Sequence, residues 1–556
     1  TNLLRFEVDS NQLVGTLPDN YSLLTSLNTF LASNNQLDGI IPDSWSSLVN
    51  LTRLELGNNA LTGTLPNSYS SMSVLQTLIL SENQLSGVIP DTWSTMVDLV
   101  QFEVNSNELT GTLPSVFSSM ESLQILLASN NQLDGGLPDS WETLTALTQF
   151  EVDSNLLTGT LPGVYSTMTN LETLILSNNQ LSGNLPNSWS SFTQLQQFGV
   201  ADNELSGTLP SSYAAMTSLN YLSLSQNEFT GDLPDTWSSM TQLNQLLLDN
   251  NLLSGTLPNV WSSLSQLEIL AMENNTISGS FPDSWSSMTN LEYLTASSNQ
   301  ITGILPTDYS TMTALIIFDA AENLITGSLP ISWNLLTALE ILNLQQNQID
   351  NSLPDSWSSL PAVQEISISQ NQLSGSLPSS WSNLTTIEIL KMDDNNIDGT
   401  LPDSWGSLPA LTDLSLVGNN ISGSLPDSWS SYSNISNLAL GQNQINGTLP
   451  ATWGTLSTLD SLLIDNNKIE GTIPSDWESM NTAMVFKANS NSLCGDLPSF
   501  FQEPGPPFSE VAMEGNTFNC PQPSWCGDPG FTCDPCVNGD SCLLTSASSS
   551  PTPSKT

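Results

Sequence analysis

Histidine is missing from this chain, and lysine and arginine together supply only 6 of its 556 residues, against 54 aspartates and glutamates. The absence of histidine removes the commonest general base and a common metal ligand. The formal net charge of −48 excludes the basic face that binding to nucleic acid or to an anionic membrane surface requires. The charge indicates a well-solvated surface; attraction of cationic partners or loosely bound divalent cations is the alternative.

Catalytic groups are also scarce. Two carboxylates are sufficient for some hydrolases, but no pair of acids stands apart from the repeat pattern described below. We therefore expect no enzymatic activity and no cofactor.

Cysteine does not occur before Cys494, and the cysteines then cluster at Cys494, Cys520, Cys526, Cys533, Cys536 and Cys542. An even, clustered set of cysteines predicts a disulfide-bonded cap in a secreted protein. Cys533-Asp-Pro-Cys536 also has the spacing of half a zinc site or a redox motif, but the βαβ context of the redox motif is missing. No apolar run reaches the ~18 residues that cross a membrane. The lack of a signal segment and of an initiating methionine predicts a mature or partial chain.

What the chain has in abundance is one repeat, whose pattern returns at every 24th position. A representative copy, LTRLELGNNALTGTLPNSYSSMSV, runs from Leu51 to Val74, and copies follow one another without insertion or deletion to about Phe501. Asparagine keeps this period from Asn11 to Asn491. The regularity predicts a solenoid in which each coil contacts only its neighbours. We expect a solenoid over residues 1–502, a cysteine-rich C-terminal cap over 503–542 and a Ser/Thr/Pro-rich tail over 543–556.

Each part of the repeat has a physical interpretation. The L-x-L core is typical of a strand whose leucines face inward. The asparagine that follows is both donor and acceptor, so it can satisfy backbone groups in a buried turn, which an aspartate cannot. The G-x-L-P segment predicts a second short strand that ends at proline. The S-W-S-S-L/M segment predicts a turn or short helix that buries an aromatic ring.

The pattern L-x-x-L-x-L-x-x-N-x-L followed by G-x-L-P resembles the plant-specific class of leucine-rich repeats, which is found in plant receptor-kinase ectodomains and polygalacturonase-inhibiting proteins. The W-S-S-M sequences, such as Trp237–Met240, are also similar to leucine-rich surface antigens and proteophosphoglycans of trypanosomatids. The resemblance implies an α/β solenoid, a leucine-rich repeat superhelix of about 21 coils in which each coil is one copy of the repeat. Its parallel β-sheet would line the concave face, and short second strands with turns or short helices the convex face. It also implies that Cys494 ties the last coil to the cap.

The outward face of the predicted first strands changes along the chain. Early coils place Glu7, Glu55, Glu103 and Glu151 on alternate strands, which limits repulsion between like charges. Later coils carry an apolar column, interrupted by Gln245 and Glu365 and formed by Tyr221, Ile269, Tyr293, Ile317, Ile341 and Ile389. An exposed apolar column on a concave sheet predicts partner contact; alternatively these side chains shield one another.

Seven N-x-S/T sequons predict N-glycosylation on a secreted or cell-surface protein, at Asn20, Asn50, Asn274, Asn383, Asn420, Asn434 and Asn446. The function that we expect is non-catalytic binding of a protein or glycan ligand, in recognition, adhesion or a surface coat. Assembly of sister chains into an extracellular filament is the alternative. Ice binding, suggested by threonine pairs such as Thr62 and Thr64, is a remote one.

Overall fold

The computed structural model describes residues 2–480, 484–498, 500, 508–519 and 531–533. The chain divides into two compact units, Thr1–Ile277 (unit 1) and Ser278–Thr556 (unit 2). In both units a coil is built from a first strand and a second strand, followed as far as Ser479 by a short 3₁₀ helix. No helix among the described residues has the length and the apolar character that a membrane span requires.

The first strands of each unit pair in parallel with the equivalent strands of the neighbouring coils, in unbroken register as far as Lys487. In unit 1 they are Arg5–Glu7, Thr29–Leu31, Arg53–Glu55, Thr77–Ile79, Gln101–Glu103, Ile125–Leu127, Gln149–Glu151, Thr173–Ile175, Gln197–Gly199, Tyr221–Ser223, Gln245–Leu247 and Ile269–Ala271. In unit 2 they are Tyr293–Thr295, Ile317–Asp319, Ile341–Asn343, Glu365–Ser367, Ile389–Lys391, Asp413–Ser415, Asn437–Ala439, Ser461–Leu463, Met484–Lys487, Phe508–Ala512 and Phe531–Thr532.

The second strands of unit 1 form one parallel sheet of 11 strands. They are Val14–Thr16, Gln36–Ile40, Ala60–Thr64, Gln84–Val88, Glu108–Thr112, Gln132–Gly135, Leu156–Thr160, Gln180–Asn184, Glu204–Thr208, Glu228–Asp232 and Leu252–Ser254. In unit 2 the corresponding strands fall into sheets of 2, 2, 2 and 5 strands, joined by single bridges. They are Ser278–Gly279, Gln300–Ile301, Thr326–Ser328, Gln348–Asp350, Ser374–Ser376, Asn396–Asp398, Ser422–Ser424, Gln444–Thr448, Lys468–Gly471, Ser492–Gly495 and Thr517–Phe518.

The predicted short helices are 3₁₀ helices, and the described part of the chain contains no α-helix. The proline that precedes each helix is extended, and the helix ends after five residues, too few for a stable α-helix. In unit 1 they are Asp19–Leu23, Asp43–Ser47, Asn67–Ser71, Asp91–Thr95, Ser115–Ser119, Asp139–Thr143, Gly163–Thr167, Asn187–Ser191, Ser211–Ala215, Asp235–Ser239 and Asn259–Ser263. In unit 2 they are Asp283–Ser287, Thr307–Thr311, Ile331–Leu335, Asp355–Ser359, Ser379–Asn383, Asp403–Ser407, Asp427–Ser431, Ala451–Thr455 and Ser475–Ser479.

The predicted asparagine ladder is present and has the bonding that the sequence implied. The side-chain nitrogen of Asn155 donates to the carbonyl oxygens of Ala128 and Val152 at 3.0 and 3.1 Å, and its oxygen accepts from the backbone nitrogen of Leu133 at 2.9 Å. Each asparagine therefore joins its own turn to the preceding coil. Since these groups are buried, leaving one of them unpaired costs free energy.

The aromatic residues of the 3₁₀ helices form a second set of bonds between coils. The indole nitrogen of Trp237 donates to the carbonyl oxygen of Pro210 at 3.0 Å, and the hydroxyl of Tyr69 donates to that of Pro42 at 3.3 Å. Both rings are fully buried. The polar end of each large ring is thus satisfied while its apolar surface fills the core.

Repeat-like structure continues within the segment predicted as a cap. Strand Phe508–Ala512 pairs in parallel with Met484–Lys487, with a shift in register between Met484 and Val485. Asn516 then occupies the next position of the asparagine ladder, where it donates to the carbonyl oxygens of Ala488 and Met513 at 2.9 Å each. A period of 24 residues counted from Asn491 ends one position before Asn516. The repeat therefore does not predict that Asn516 belongs to the ladder.

Candidate binding face of the first strands

In unit 2 the predicted apolar column runs across consecutive first strands and is interrupted at Glu365. Tyr293 pairs with Ile317, Ile317 with Ile341, Ile341 with Glu365, and Glu365 with Ile389. All five side chains are half-buried. Each therefore leaves part of its surface in contact with solvent. Partner contact at this column stays a prediction. We call Tyr293, Ile317, Ile341 and Ile389 the unit 2 column.

Carboxylates that the repeat pattern did not single out border the unit 2 column. Glu292, Glu340 and Glu388 stand immediately before Tyr293, Ile341 and Ile389, and each is half-buried or exposed. The signal was present in the sequence as a glutamate followed by an apolar strand residue. The surface thus combines apolar side chains with acids that remain in contact with water.

Asp319 lies on the other side of the column, two residues after Ile317. Burial raises the pKa of its carboxyl, and hydrogen bonds from the backbone nitrogen of Ala321 and the side chain of Asn343 oppose that rise. Nearby Glu365 and Glu322 raise this pKa further. Asp319 therefore adds one carboxylate on this side of the unit 2 column, beside Ile317.

The Ile389 end of the unit 2 column carries one of the few basic residues of the chain. The side-chain nitrogen of Lys391 lies 3.2 Å from a carboxylate oxygen of Asp413. The other carboxylate oxygen of Asp413 accepts from the side-chain nitrogen of Asn437 at 2.7 Å. Lys391 thus forms its ion pair with Asp413 and does not neutralise the acids that lie nearer to Tyr293.

Unit 1 contains the other two predicted contact residues, Tyr221 and Ile269, in register with Gln245 between them. Tyr221 lines a surface cavity of about 460 Å³ together with Gln197, Asn220, Asn244 and Gln245. Both Tyr221 and Ile269 are half-buried. The side chains that line the cavity, apart from Tyr221, are all neutral amides.

The early glutamates of unit 1 have local partners that spacing alone did not predict. The guanidinium groups of Arg5 and Arg53 form ion pairs with Glu7 and Glu55 two residues later. In the strand Gln149–Glu151 the amide nitrogen of the glutamine donates to the carboxylate of Glu151 at 2.7 Å. These carboxylates therefore bind partners within their own strands, and they are also separated from one another because they lie on alternate coils.

All seven sequon asparagines are exposed. The side-chain nitrogens of three of them donate to other residues: Asn50 to the carbonyl oxygen of Thr25 at 2.8 Å, Asn434 to that of Pro409 at 2.8 Å, and Asn274 to the side chain of Asn250 at 3.0 Å. A glycan on these asparagines needs one amide hydrogen, so the second can keep the bond. Exposure makes all seven accessible, and their occupancy stays a prediction.

Two of the six cysteines, Cys494 and Cys533, lie in the described residues, and both are disulfide-bonded. Cys520, Cys526, Cys536 and Cys542 lie outside the described residues, as does the predicted tail, so the pairing stays a prediction. Within the same described ranges, no group of three or more histidine, cysteine, aspartate or glutamate residues is arranged to hold a metal ion.

Two family models, both described as leucine-rich repeat, match segments of the chain. One matches residues 50–109, 73–133 and 246–301, and the other matches residues 170–192, 218–240, 338–360, 362–384 and 410–432. A comparison with curated proteins finds no match.

Several solved structures are similar over most of the chain. The structure of a TDR receptor has a TM-score of 0.90 and 25% sequence identity, with 96% of this chain and 93% of that chain covered. The ectodomain of the Arabidopsis receptor kinase HAESA, in complex with an N-terminally extended IDA peptide hormone, has a TM-score of 0.83 and 28% identity, with 93% and 87% covered. PEPR1 in complex with AtPEP1 has a TM-score of 0.80 and 28% identity, with 92% and 79% covered. Together with the repeat, the ladder of asparagines and the parallel first strands, these matches identify the chain as a leucine-rich repeat protein.

Proposed function

We propose that this protein is an extracellular, non-catalytic binding protein and that the unit 2 column is its contact surface for a protein ligand. The observation that carries the proposal is the register of Tyr293, Ile317 and Ile341 on consecutive strands beside a border of carboxylates. Aromatic and β-branched side chains supply apolar contact area with little rotamer entropy to lose on binding. A repeating column of them suits a ligand that lies across several coils.

The charges beside the column specify the ligand further. An apolar ligand segment that docks on Ile317 and Ile341 places its flanking residues near Glu340 and Asp319. Acidic groups there favour lysine or arginine and disfavour aspartate or glutamate, so electrostatic complementarity sets the choice of partner and the rate of encounter. We therefore propose a ligand whose apolar side chains alternate with or adjoin basic residues.

The similar structures support a binding role. The structure of HAESA is a complex with the peptide hormone IDA and the co-receptor SERK1, and that of PEPR1 is a complex with AtPEP1. At least one protein of similar fold therefore holds a peptide ligand. We propose for this chain a binding role of the same kind, but not the same ligands.

The experiment selects ligands for the face from a displayed library of random peptides and compares two substitutions of the same chemistry. Ile341→Ser changes the column, whereas Ile331→Ser removes an isoleucine that is 72% exposed on the 3₁₀ helix Ile331–Leu335 of the same unit. We expect enriched peptides to contain apolar residues flanked by lysine or arginine and to bind Ile341→Ser about tenfold more weakly, with Ile331→Ser unchanged. Binding should also weaken as salt is added.

Two results contradict the proposal. One is enrichment of peptides without basic residues, and the other is equal binding to the parent and to Ile341→Ser when circular dichroism shows both to be folded. Either result would mean that the unit 2 column is not the contact surface for the proposed ligand.

The extracellular placement has its own test. Seven exposed sequons support a secreted or cell-surface glycoprotein. Mass spectrometry of peptides from the natural protein, before and after enzymatic removal of N-glycans, should find glycan on several of the seven asparagines. Unmodified asparagine at all seven would contradict the placement.

A further inference from the structure

We propose that the cavity around Tyr221 is a carbohydrate site that takes a short, uncharged oligosaccharide. This inference rests on the proposed binding role of the first-strand face, but it concerns a different place, unit 1, and a different class of ligand. The carrying observation is a tyrosine surrounded by four neutral amide side chains that have no partners in the described part of the protein.

The cavity lies at the beginnings of three neighbouring first strands. Gln197, Tyr221 and Gln245 open these strands and are paired in register, so the tyrosine lies between two glutamines. Asn220 and Asn244 directly precede two of the strands and complete the lining. Three strands span about 10 Å at the usual spacing, which limits the site to a small ligand or to one end of a larger one.

The amides around Tyr221 differ from those at the same strand position in earlier coils. Gln101 and Gln149 donate to Glu103 and Glu151 two residues later. Beside the cavity the corresponding residues are Gly199 and Leu247, which offer no acceptor to Gln197 and Gln245. Within the described ranges, the structure gives the side chains of Gln197, Asn220, Asn244 and Gln245 no hydrogen bond.

Free amides of this kind match the chemistry of sugars. Each amide side chain offers two donors and an acceptor, and each sugar hydroxyl is both donor and acceptor, so neighbouring hydroxyls can pair with one amide. The half-buried ring of Tyr221 supplies an apolar surface for the C–H groups of a sugar ring. Concave sites of this volume typically combine apolar contact with a few polar groups that fix orientation.

The electrostatics indicate an uncharged ligand. The residues that line the cavity carry no charge, although the whole chain has a formal charge of −48. An anionic saccharide would be repelled by the acidic protein, and a cationic ligand would find no carboxylate in the lining. An extended peptide fits less well, because peptides on sheets gain specificity from successive side-chain pockets along their length.

The test measures binding of defined oligosaccharides by isothermal titration calorimetry. The probes are neutral β-1,4-glucan, β-1,3-glucan and α-mannan oligosaccharides, with oligogalacturonate as the anionic control. We expect at least one neutral probe to bind and oligogalacturonate not to bind. Tyr221→Ser should weaken binding of that probe about tenfold or more, and Asn220→Asp should weaken it by replacing two donors with a charged acceptor.

Tyr293→Ser is the matched control, because it is the same substitution at the same strand position in unit 2. It should leave the affinity for the oligosaccharide unchanged while it weakens binding of the selected peptides. Tyr221→Ser should weaken binding of the oligosaccharide and leave binding of the selected peptides unchanged. Failure of the carbohydrate site and failure of the peptide face therefore give different results. The proposal is overturned if no neutral probe binds the folded parent protein, or if Tyr221→Ser and Tyr293→Ser have equal effects on the oligosaccharide.

Discussion

The side-chain nitrogen of Asn251 donates to the carbonyl oxygen of Leu224, in the preceding coil, at 3.0 Å. The same amide donates to the carbonyl oxygen of Leu248 at 3.1 Å and accepts from the backbone nitrogen of Phe229 at 3.0 Å. One buried side chain therefore satisfies backbone groups of two coils. This relationship repeats along both units and explains the strict recurrence of asparagine.

Asn251→Ala should destabilise the array by about 1–3 kcal/mol, because it leaves buried backbone groups without partners. Urea unfolding monitored by circular dichroism measures the effect. Gln242→Ala is the control, since Gln242 is exposed on the same coil, and its midpoint should match that of the parent. Equal midpoints for Asn251→Ala and the control would refute the role of the ladder in stability.

Gly63→Ala should also destabilise the protein, for two separable reasons. Gly63 has φ +80°, and a Cβ atom there would lie 2.8 Å from Cγ2 of Ile40. Strain at such a backbone position costs about 1–3 kcal/mol. Ile40→Ala in the Gly63→Ala background removes the close contact and keeps the unfavourable φ, so partial recovery of the thermal midpoint is expected. Full recovery would mean that backbone strain contributes nothing.

Tyr432→Phe should stabilise the protein by about 1 kcal/mol, because it removes a buried hydroxyl that has no hydrogen-bond partner among the described residues. The ring, 5.6 Å from that of Trp429, is retained. Tyr309→Phe is the matched comparison, because the hydroxyl of Tyr309 donates to the carbonyl oxygen of Pro282 at 3.2 Å. The two substitutions should shift the unfolding midpoint in opposite directions, and shifts of the same sign would contradict this account.

Asp319→Asn should change how stability depends on pH. Burial raises the pKa of the Asp319 carboxyl in the folded state above its value in the unfolded chain, so the native protein holds the proton more tightly. This group therefore lowers stability as pH rises from the unfolded pKa through the folded pKa, and its full cost is present above both. Asp319→Asn should stabilise the protein at neutral pH and lose that advantage in acid. Parallel pH–stability curves for the parent and the variant would contradict the prediction.

The sequence by itself determined the coil. Strict recurrence of leucine, asparagine, glycine and proline at one fixed period leaves one arrangement in which every coil buries its leucines and satisfies its turn. Alternation along a strand predicted that Tyr221, Tyr293 and the isoleucines lie on the outward face of their own strands, and the structure leaves each of them partly exposed there. Local pattern was sufficient because each coil contacts only its neighbours.

The tertiary structure decided the features that depend on which side chains meet between coils. Gln149 and Gln197 occupy equivalent positions in the sequence repeat. Only the structure shows that Gln149 donates to Glu151, whereas the side chain of Gln197 lines a cavity and has no hydrogen bond within the described residues. Asn516 joins the ladder one position late because a register shift on the preceding strand absorbs the extra residue. Burial and hydrogen bonding between coils are set by three-dimensional packing, so the repeat period fixes the positions of the side chains but not their partners.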